Sequence, residues 1–216
     1  MWNKNKKEIV FTTLLTFIPL IIGLLLWNRL PEMIPVHFGI DGQPDNYYPK
    51  LKAVWLLGLF LPLLHILCIF GTMSDPKRNN ISKKVFNLVL WITPIVGALM
   101  SVMTYGSALG LKVDVVAITS LLIGIVFIIL GNYLPKCRQN YTVGIKIPWT
   151  LNDKDNWDKT HRFAGYVYII AGIIMICSMF FKGKILIITY FINIFIASLL
   201  PVVYSYILYR KSLTDK

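Results

Sequence analysis

The chain has 216 residues, a formal net charge of +12, 56% hydrophobic residues and a mean hydropathy of +0.64. A soluble domain of this length cannot bury so much apolar side chain in one core, so the composition excludes an ordinary soluble protein. The basic residues cluster between apolar blocks, which is typical of membrane topology and argues against direct nucleic-acid binding.

Six apolar blocks follow one another along the chain, and each approaches the roughly 20 residues that a helix needs to cross the hydrocarbon layer. They are Glu8–Trp27, Lys52–Gly71, Val85–Ala108, Asp114–Leu134, Phe163–Phe181 and Ile185–Tyr209. We therefore predict an all-α membrane protein, a bundle of about six transmembrane helices with one ordered extracellular loop and one amphipathic cytoplasmic loop. Two units are expected: residues 1–71 with an outer loop at 28–51, and residues 72–216 with a cytoplasmic loop at 132–162.

Four of the six blocks contain a proline, which removes one backbone hydrogen bond and bends a helix. Neighbouring helices can satisfy the freed carbonyl groups inside a membrane, so these prolines do not argue against spans. Kinks are predicted at Pro19, Pro62, Pro94 and Pro201.

The segment between the first two blocks is too patterned for a passive connector. Pro31 is expected to end the first helix. Apolar residues alternate at 34–38, which predicts a short extended piece. Asp41-Gly42 indicates a turn, because glycine accepts a positive φ without strain, and the Pro-Asp-Asn run at 44–46 indicates a second turn.

Three side chains with nitrogen or oxygen donors, His37, Asp41 and Asp45, stand four residues apart in this segment. They are compatible with a metal site or a polar ligand-binding patch, but donors at this spacing in a loop specify no coordination geometry. In the simpler interpretation the aspartates cap turns and His37 hydrogen-bonds a backbone carbonyl. No metal and no cofactor is assigned.

The segment between the fourth and fifth blocks begins with a Leu-Pro pair at 134–135, which is expected to end the fourth helix. Residues Tyr141–Ile147 are expected to form a short extended stretch. A surface helix is expected after Pro148, with Thr150 or Asn152 as its candidate N-cap.

On that helix Trp157, His161 and Ala164 would share one face, because residues three or four apart lie side by side. We predict an ordered amphipathic element on the inner leaflet, with Trp149 and Trp157 reaching into the headgroups. Two interpretations stay open: an anchor that only holds two helices, and a docking surface. We favour the docking surface, since loops that must stay ordered usually carry function.

The distribution of basic residues predicts the orientation. If both termini lie in the cytoplasm, all but six of the 22 Lys and Arg residues fall on the inner side, as the positive-inside rule requires. The six on the outer side are Arg29, Lys50, Lys52, Lys112, Lys182 and Lys184. The loop at 28–51 is then outside and the loop at 132–162 inside.

No catalytic arrangement is recognisable, because no nucleophile motif surrounds a serine or cysteine and no metalloprotease or phosphate-binding signature occurs. We therefore expect no enzyme activity. Within the spans the polar candidates are His65 and Asn193, and ionisable residues there mark ion or proton paths. A small-molecule or ion transporter, a lipid-interacting protein and a purely structural membrane protein stay open as alternatives.

Two stretches of the chain resemble the SdpI family of bacterial membrane immunity proteins. The inner stretch, residues 131–165, reads GNYLPKCRQNYTVGIKIPWTLNDKDNWDKTHRFAG and is similar to that family's signature. The outer stretch, residues 30–50, reads LPEMIPVHFGIDGQPDNYYPK and resembles an uncharacterised N-terminal domain that often precedes the signature. Lys146 and Ile147 depart from the family's usual arginine and threonine, and lysine lacks the bidentate geometry of arginine.

The resemblance implies protection of a bacterium against a secreted, membrane-active peptide toxin. It also implies a receptor role in which the protein holds a transcriptional repressor at the membrane. The implied partners are membrane lipids, the secreted toxin and a cytoplasmic repressor. Candidates for toxin contact are His37, Phe38, Asp41, Gly42 and Asp45. Candidates for the cytoplasmic signature and partner contact are Asn132, Pro135, Asn140, Gly144, Lys146, Pro148, Trp149, Thr150, Trp157, Thr160, His161 and Arg162.

Overall fold

The computed structural model describes residues 2–214, so that Lys216, one of the basic residues assigned to the inner side, lies outside them. The helices and strands are α1 Trp2–Leu15, α2 Ile18–Leu25, β1 Met33–Phe38, β2 Pro44–Pro49, α3 Lys50–Met73, α4 Lys83–Ala108, α5 Val115–Tyr133, α6 Pro148–Asn152, α7 Lys154–Cys177 and α8 Gly183–Thr214.

Within the described residues, 6 helical segments are long and apolar enough to cross a membrane. They are Asn5–Leu25, Lys50–Met73, Lys83–Ala108, Val115–Lys136, Lys154–Phe180 and Gly183–Thr214. Their exposed side chains are mostly large and hydrophobic, as expected of helices whose outer faces meet lipid tails. The predicted fold class, a helical membrane bundle, is confirmed.

The chain folds into two compact units, the first made of Met1–Met73 and Phe86–Ile118, and the second of Ser74–Val85 and Thr119–Lys216. The division into residues 1–71 and 72–216 follows sequence order rather than these contacts, and it stays a prediction.

In the first unit, the first span is interrupted between α1 and α2, just before Pro19. Proline has no amide hydrogen and its ring displaces the carbonyl four residues earlier, so the helix is interrupted there. Tyr105 of α4 donates its hydroxyl to the Pro19 carbonyl at 3.0 Å. A Cβ atom on Gly23 would lie 2.6 Å from that hydroxyl oxygen, so glycine is required for this contact. The other three prolines lie inside helices that continue on both sides, namely Pro62, Pro94 and Pro201.

The outer loop forms a β-hairpin in which β1 and β2 pair antiparallel, with irregular register between Pro35 and Phe38. Gly42 has a φ of 75° in the turn, and the Gly39 amide donates to the Gln43 carbonyl at 2.8 Å. The extended piece at 34–38 and the turn at Asp41-Gly42 are therefore confirmed. The turn predicted at 44–46 is wrong, because pairing with β1 holds these residues in β2.

The hairpin is anchored on the helices of its own unit by Ile34, whose side chain is fully buried. Ile34 forms a cluster with Leu30, Ala53, Val54 and Tyr105. At the base, the Lys50 ammonium group donates to the Glu32 carboxylate at 2.9 Å and to the Leu30 carbonyl at 3.3 Å. Burial of an isoleucine and a charged clamp at the strand ends make this segment an ordered element.

In the second unit, α5 and α7 approach each other at two pairs of glycines. A Cβ atom on Gly131 would lie 2.7 Å from the Gly165 carbonyl oxygen, and one on Gly172 would lie 2.6 Å from the Gly124 carbonyl oxygen. The two glycines on each helix are two turns apart, so they share one face. The helices therefore meet backbone to backbone, as small residues permit inside membranes.

Polar side chains join α7 to α8. The Asn156 amide donates to the Ser205 carbonyl at 2.9 Å, and the Ser205 hydroxyl donates back to Asn156 Oδ1 at 2.5 Å. Toward the other end of α7, the Asn193 amide donates to the Ala171 carbonyl at 2.8 Å. Lipid tails are as apolar as the side chains of a helix, so hydrophobic burial does little to bring helices together inside a membrane. Hydrogen bonds between helices, such as these, therefore help to hold them together.

Candidate functional site

The central feature of the candidate site is the contact between two connections of the second unit, the α3–α4 connection (residues 74–82) and the α5–α7 connection (residues 134–153). Asp75 is buried and accepts hydrogen bonds from the Tyr141 amide at 2.8 Å and the Thr142 hydroxyl at 2.6 Å. Its other carboxylate oxygen accepts from the Lys77 amide at 2.7 Å. The two connections therefore lie on the same side of the spans.

Asp75 is ionised in this setting. Burial raises the pKa of the Asp75 carboxyl, but hydrogen bonds from the Thr142 side chain and from backbone amides of Lys77, Tyr141 and Thr142 outweigh burial and leave the pKa below its ordinary value. The sequence patterns did not point to this residue. The only local signal was the turn-forming Asp-Pro pair at 75–76, which does not indicate a partner 66 residues away.

Gln139, also missed, bridges the same two connections. Its side-chain amide donates to the Thr150 and Leu151 carbonyls at 2.9 and 2.8 Å. The Lys77 ammonium group donates to Gln139 Oε1 at 2.8 Å, and the Asn80 amide donates to the Gln139 carbonyl at 2.7 Å. One glutamine thus ties α6 to the α3–α4 connection.

Asn140 and Thr150 shape the connection from inside. Asn140 Oδ1 accepts from the Thr142 and Val143 amides at 2.9 and 2.7 Å, which folds the chain into an Asx-type turn. The Thr150 hydroxyl accepts from the Ile147 amide at 3.1 Å at the start of α6. Both side chains are buried and engaged in these bonds, so they organise the connection and do not meet a partner directly.

The stacked pair of Trp157 and His161 supports the connection from below. Their ring centroids are 3.9 Å apart, and the indole N–H donates to the Cys137 carbonyl at 2.8 Å. His161 Nε2 accepts from the Ile145 amide at 2.9 Å, and Nδ1–H donates to the Trp157 carbonyl at 2.8 Å. Both ring nitrogens are thus satisfied with the proton on Nδ1. Burial raises the pKa of the Cys137 thiol to about 11, so this cysteine stays protonated.

Gly144 lies directly over this pair. Its φ is 126°, a conformation that favours glycine, and a Cβ atom would lie 2.9 Å from the Trp157 ring. A Cβ atom would also clash with His161 Nε2, so position 144 admits no side chain without displacing the two stacked rings.

The structure corrects three details of the inner loop. Trp157 does not reach the headgroups, because its side chain is fully buried beneath the connection. The helix that carries it is not a separate surface element, since α7 runs without a break from Lys154 to Cys177. The N-cap is Asp153, not Thr150 or Asn152: its carboxylate accepts from the Asp155 amide at 2.8 Å.

The expected extended stretch at Tyr141–Ile147 is wrong, since residues 141–144 form bends and no strand is assigned up to 147. Hydrogen bonds to Asp75 and Asn140 compete successfully with an extended backbone there. The end of the fourth helix at Leu134-Pro135 is confirmed, with α5 ending at Tyr133. Trp149 is half-buried, and its ring stacks on Tyr209 of α8 at 5.8 Å.

The twelve inner candidates divide by exposure. Five are buried: Asn140, Thr150, Trp157 and His161, which hydrogen-bond within or to the connection, and Thr160, which donates to Asn156 Oδ1 within α7. Five are exposed and available to a partner: Asn132, Pro135, Lys146, Pro148 and Arg162. Gly144 and Trp149 are half-buried. The signature thus combines a rigid interior with a small exposed set.

On the hairpin, the outer candidates form a polar tip. The His37 ring contacts the Asp45 carboxylate at 2.5 Å, and Asp41 Oδ1 accepts from the Gln43 amide at 3.0 Å. Asp41 thus caps the turn, whereas His37 pairs with a carboxylate and not with a backbone carbonyl. Among the described residues, no group of three His, Cys, Asp or Glu side chains could hold a metal ion. His37, Asp41 and Asp45 are exposed, and Phe38 and Gly42 are half-buried.

The polar residues inside the spans serve helix contacts. His65 is fully buried in α3, and its Nε2 lies 3.3 Å from the Thr12 hydroxyl oxygen of α1. Asn193 joins α8 to α7, as described above.

We predict that Asp75→Asn loosens the α5–α7 connection by about 2 kcal/mol, because the buried charge is lost and an NH2 donor replaces one of the two acceptor oxygens. The amides of Tyr141 and Thr142 should exchange hydrogen faster than in the unaltered protein. The pKa of the Asp75 carboxyl is lower in the folded chain than its ordinary value of 3.8. The stabilisation that Asp75 gives to the folded chain is therefore complete above pH 3.8, and it is lost as the pH falls through the lower pKa of the folded chain. Asp155→Asn, at a carboxylate paired on the surface with Lys159, is the matched control and should leave these amides protected. Equal exchange in Asp75→Asn and the unaltered chain contradicts the prediction.

Comparison with known proteins agrees with the two regions identified above. The model of the SdpI/YfhL protein family matches residues 136–205, and the model of a domain of unknown function, DUF1648, matches residues 14–61. The chain is 24% identical over 209 residues to the immunity protein SdpI of Bacillus subtilis (strain 168), a match that covers 95% of this chain and 97% of that protein. No solved structure matches this chain. The chain is therefore similar to the SdpI/YfhL protein family over residues 136–205 and to the DUF1648 domain over residues 14–61.

Proposed function

We propose that this chain is a membrane immunity protein that protects a bacterium against a secreted antimicrobial peptide. The observation that carries the proposal is the match, over 95% of this chain, to a relative named as an immunity protein. The absence of any recognisable catalytic motif favours protection by stoichiometric binding over destruction of the peptide.

The β-hairpin is the proposed outer contact for the peptide. Its tip exposes His37, Asp41 and Asp45, while Ile34 and the clamp at Lys50 keep its base rigid. A pre-organised polar tip loses little conformational entropy on binding. Phe38 and Gly42, half-buried beside the tip, complete the proposed contact.

Contacts within the first unit offer a route from this hairpin to the spans. Ile34 clusters with Tyr105, and Tyr105 donates to the Pro19 carbonyl at the break between α1 and α2. A peptide that displaces the hairpin would therefore act on the break between α1 and α2 in the first span. It transmits a signal only if it binds one of two conformations more tightly.

For the second unit, the proposed partner is a cytoplasmic repressor held at the membrane. Its contacts would be the exposed signature residues, Asn132, Pro135, Lys146, Pro148 and Arg162. Both termini are placed in the cytoplasm in this proposal, from the distribution of basic residues. A topology reporter fused at Asp41 should read outside and one at Asp155 inside, and the reverse result overturns the orientation.

The test of immunity is survival. The full chain is expressed in a sensitive bacterium that is challenged with a panel of secreted membrane-active peptides. We expect the chain to raise the inhibitory concentration of one peptide, and the double variant His37→Ala/Asp45→Asn to lose about tenfold of that gain, since loss of about 1.4 kcal/mol of binding is tenfold in affinity. Lys182→Gln, an exposed residue outside the hairpin, is the control. No protection against any peptide at normal membrane levels overturns the proposal.

A further inference from the structure

We propose that the second unit carries a binding face for the phosphate group of anionic phospholipids, built from the α3–α4 and α5–α7 connections and the first residues of α4. We name it the basic face. Its cationic residues are Lys77, Arg78, Lys83, Lys84, Lys136, Arg138 and Lys146. This inference does not rest on the immunity function.

The first argument is the imbalance of charge. Within residues 74–85 and 134–152, Asp75 is the only acidic residue, against these seven cations. Asp75 is buried, and its carboxylate is already used by the Tyr141 and Lys77 amides and the Thr142 hydroxyl. Lys77, Arg78, Lys84, Lys136, Arg138 and Lys146 therefore have no free carboxylate within these two stretches to pair with.

Asp153 and Asp155, the acidic residues that follow these stretches in the chain, have other partners. Asp153 caps α7 with its carboxylate, and Asp155 pairs with Lys159 at 2.7 Å. Both carboxylates are thus engaged on α7 itself.

The second argument is that three of the seven cations are held in place by hydrogen bonds. The Lys146 ammonium group donates to the Thr142 carbonyl at 3.0 Å, and that of Lys136 donates to Asn132 Oδ1 at 3.1 Å. The Lys77 ammonium group donates to Gln139 Oε1 at 2.8 Å. Ammonium groups fixed in this way retain free protons for an oxygen ligand and lose less entropy on binding it.

The third argument is position, which selects lipid as the occupant. Lys83 and Lys84 are the first two residues of α4, and Lys136 is the last residue of the fourth span. Residues at the ends of membrane spans lie at the depth of the headgroups, where the phosphates of the leaflet are. The group that these cations would bind is a phosphate monoester or diester. The lipid leaflet is the source of such groups closest to these side chains.

The test measures retention of lipid by the purified full-length chain in neutral detergent, by native mass spectrometry with added phosphatidylglycerol or phosphatidylcholine. We expect phosphatidylglycerol to bind more tightly than phosphatidylcholine. The double variant Lys136→Gln/Arg138→Gln should weaken phosphatidylglycerol binding about 30-fold, since each cation near the surface contributes about 1 kcal/mol and 1.4 kcal/mol is tenfold. The control Lys182→Gln/Lys184→Gln removes the same charge before and at the start of α8 and should change binding little.

Four outcomes overturn the proposal. The first is equal binding of the two lipids, and the second is an equal loss of binding in both double variants. The third is displacement of the lipid by millimolar inorganic phosphate. The fourth is displacement of the lipid by polyglutamate, which would mark the face as a binding site for an acidic protein. A melting temperature within a few degrees of the unaltered chain shows that a variant is folded, and Lys136→Arg/Arg138→Lys should then restore the lipid preference.

Discussion

Trp157→Ala should lower the free energy of unfolding by about 4 kcal/mol, as expected when a large buried aromatic side chain is deleted. Trp157 has no exposed surface, its ring stacks on His161 at 3.9 Å, and its indole N–H donates to the Cys137 carbonyl. The deletion leaves a cavity beneath Gly144 and an unpaired carbonyl. His161 then loses the surface that orients its ring toward the Ile145 amide.

The measurement is denaturant-induced unfolding of the purified chain in mixed micelles, together with hydrogen exchange of the Ile145 amide. Trp55→Ala removes the same side chain from a position that is 43% exposed and should cost far less. Equal destabilisation by the two substitutions would show that burial under the α5–α7 connection is not what stabilises this part of the chain.

Gly131→Ala is the second large effect, with an expected loss of about 2 kcal/mol, within the usual range for overfilling a tight contact. The added Cβ atom would lie 2.7 Å from the Gly165 carbonyl oxygen and 2.8 Å from the Ile169 nitrogen. Both are backbone atoms, so the clash is relieved only if α5 and α7 separate.

Gly71→Ala is the matched control, since its added Cβ atom would meet no described atom within 4 Å outside its own stretch of helix. Alanine favours a helix over glycine by about 1 kcal/mol, so this variant should be as stable as the unaltered chain or slightly more stable. Thermal unfolding of both variants in the same detergent gives the comparison. A gain of stability in Gly131→Ala would refute the close glycine contact.

Local patterns predicted the features that depend on neighbouring residues. The apolar blocks indicated the six spans, Asp41-Gly42 indicated the hairpin turn, and Leu134-Pro135 indicated the end of α5. Each of these features depends on the hydropathy or the backbone freedom of one short segment. These properties belong to the segment itself and do not depend on its place in the tertiary structure. The turn at 44–46 failed because strand pairing, which is not local, overrode it.

The candidate site was predicted in part. The resemblance identified both loops, and helical spacing correctly placed Trp157 and His161 on one face of α7. Helical spacing did not indicate what covers this face. Trp157 was therefore predicted to reach the lipid headgroups, whereas the α5–α7 connection buries its indole ring. Asp75 and Gln139 were missed, since a single acid and a single amide in separate connections form no pattern.

The sequence by itself determined that this protein crosses a membrane about six times and keeps two ordered polar segments, because span length and turn chemistry are properties of short stretches. Only the tertiary structure decided that Asp75 meets Tyr141, that Gly131 faces Gly165, and that Trp157 is interior. These contacts join residues far apart in the chain, and their geometry exists only once the helices have brought the two connections together.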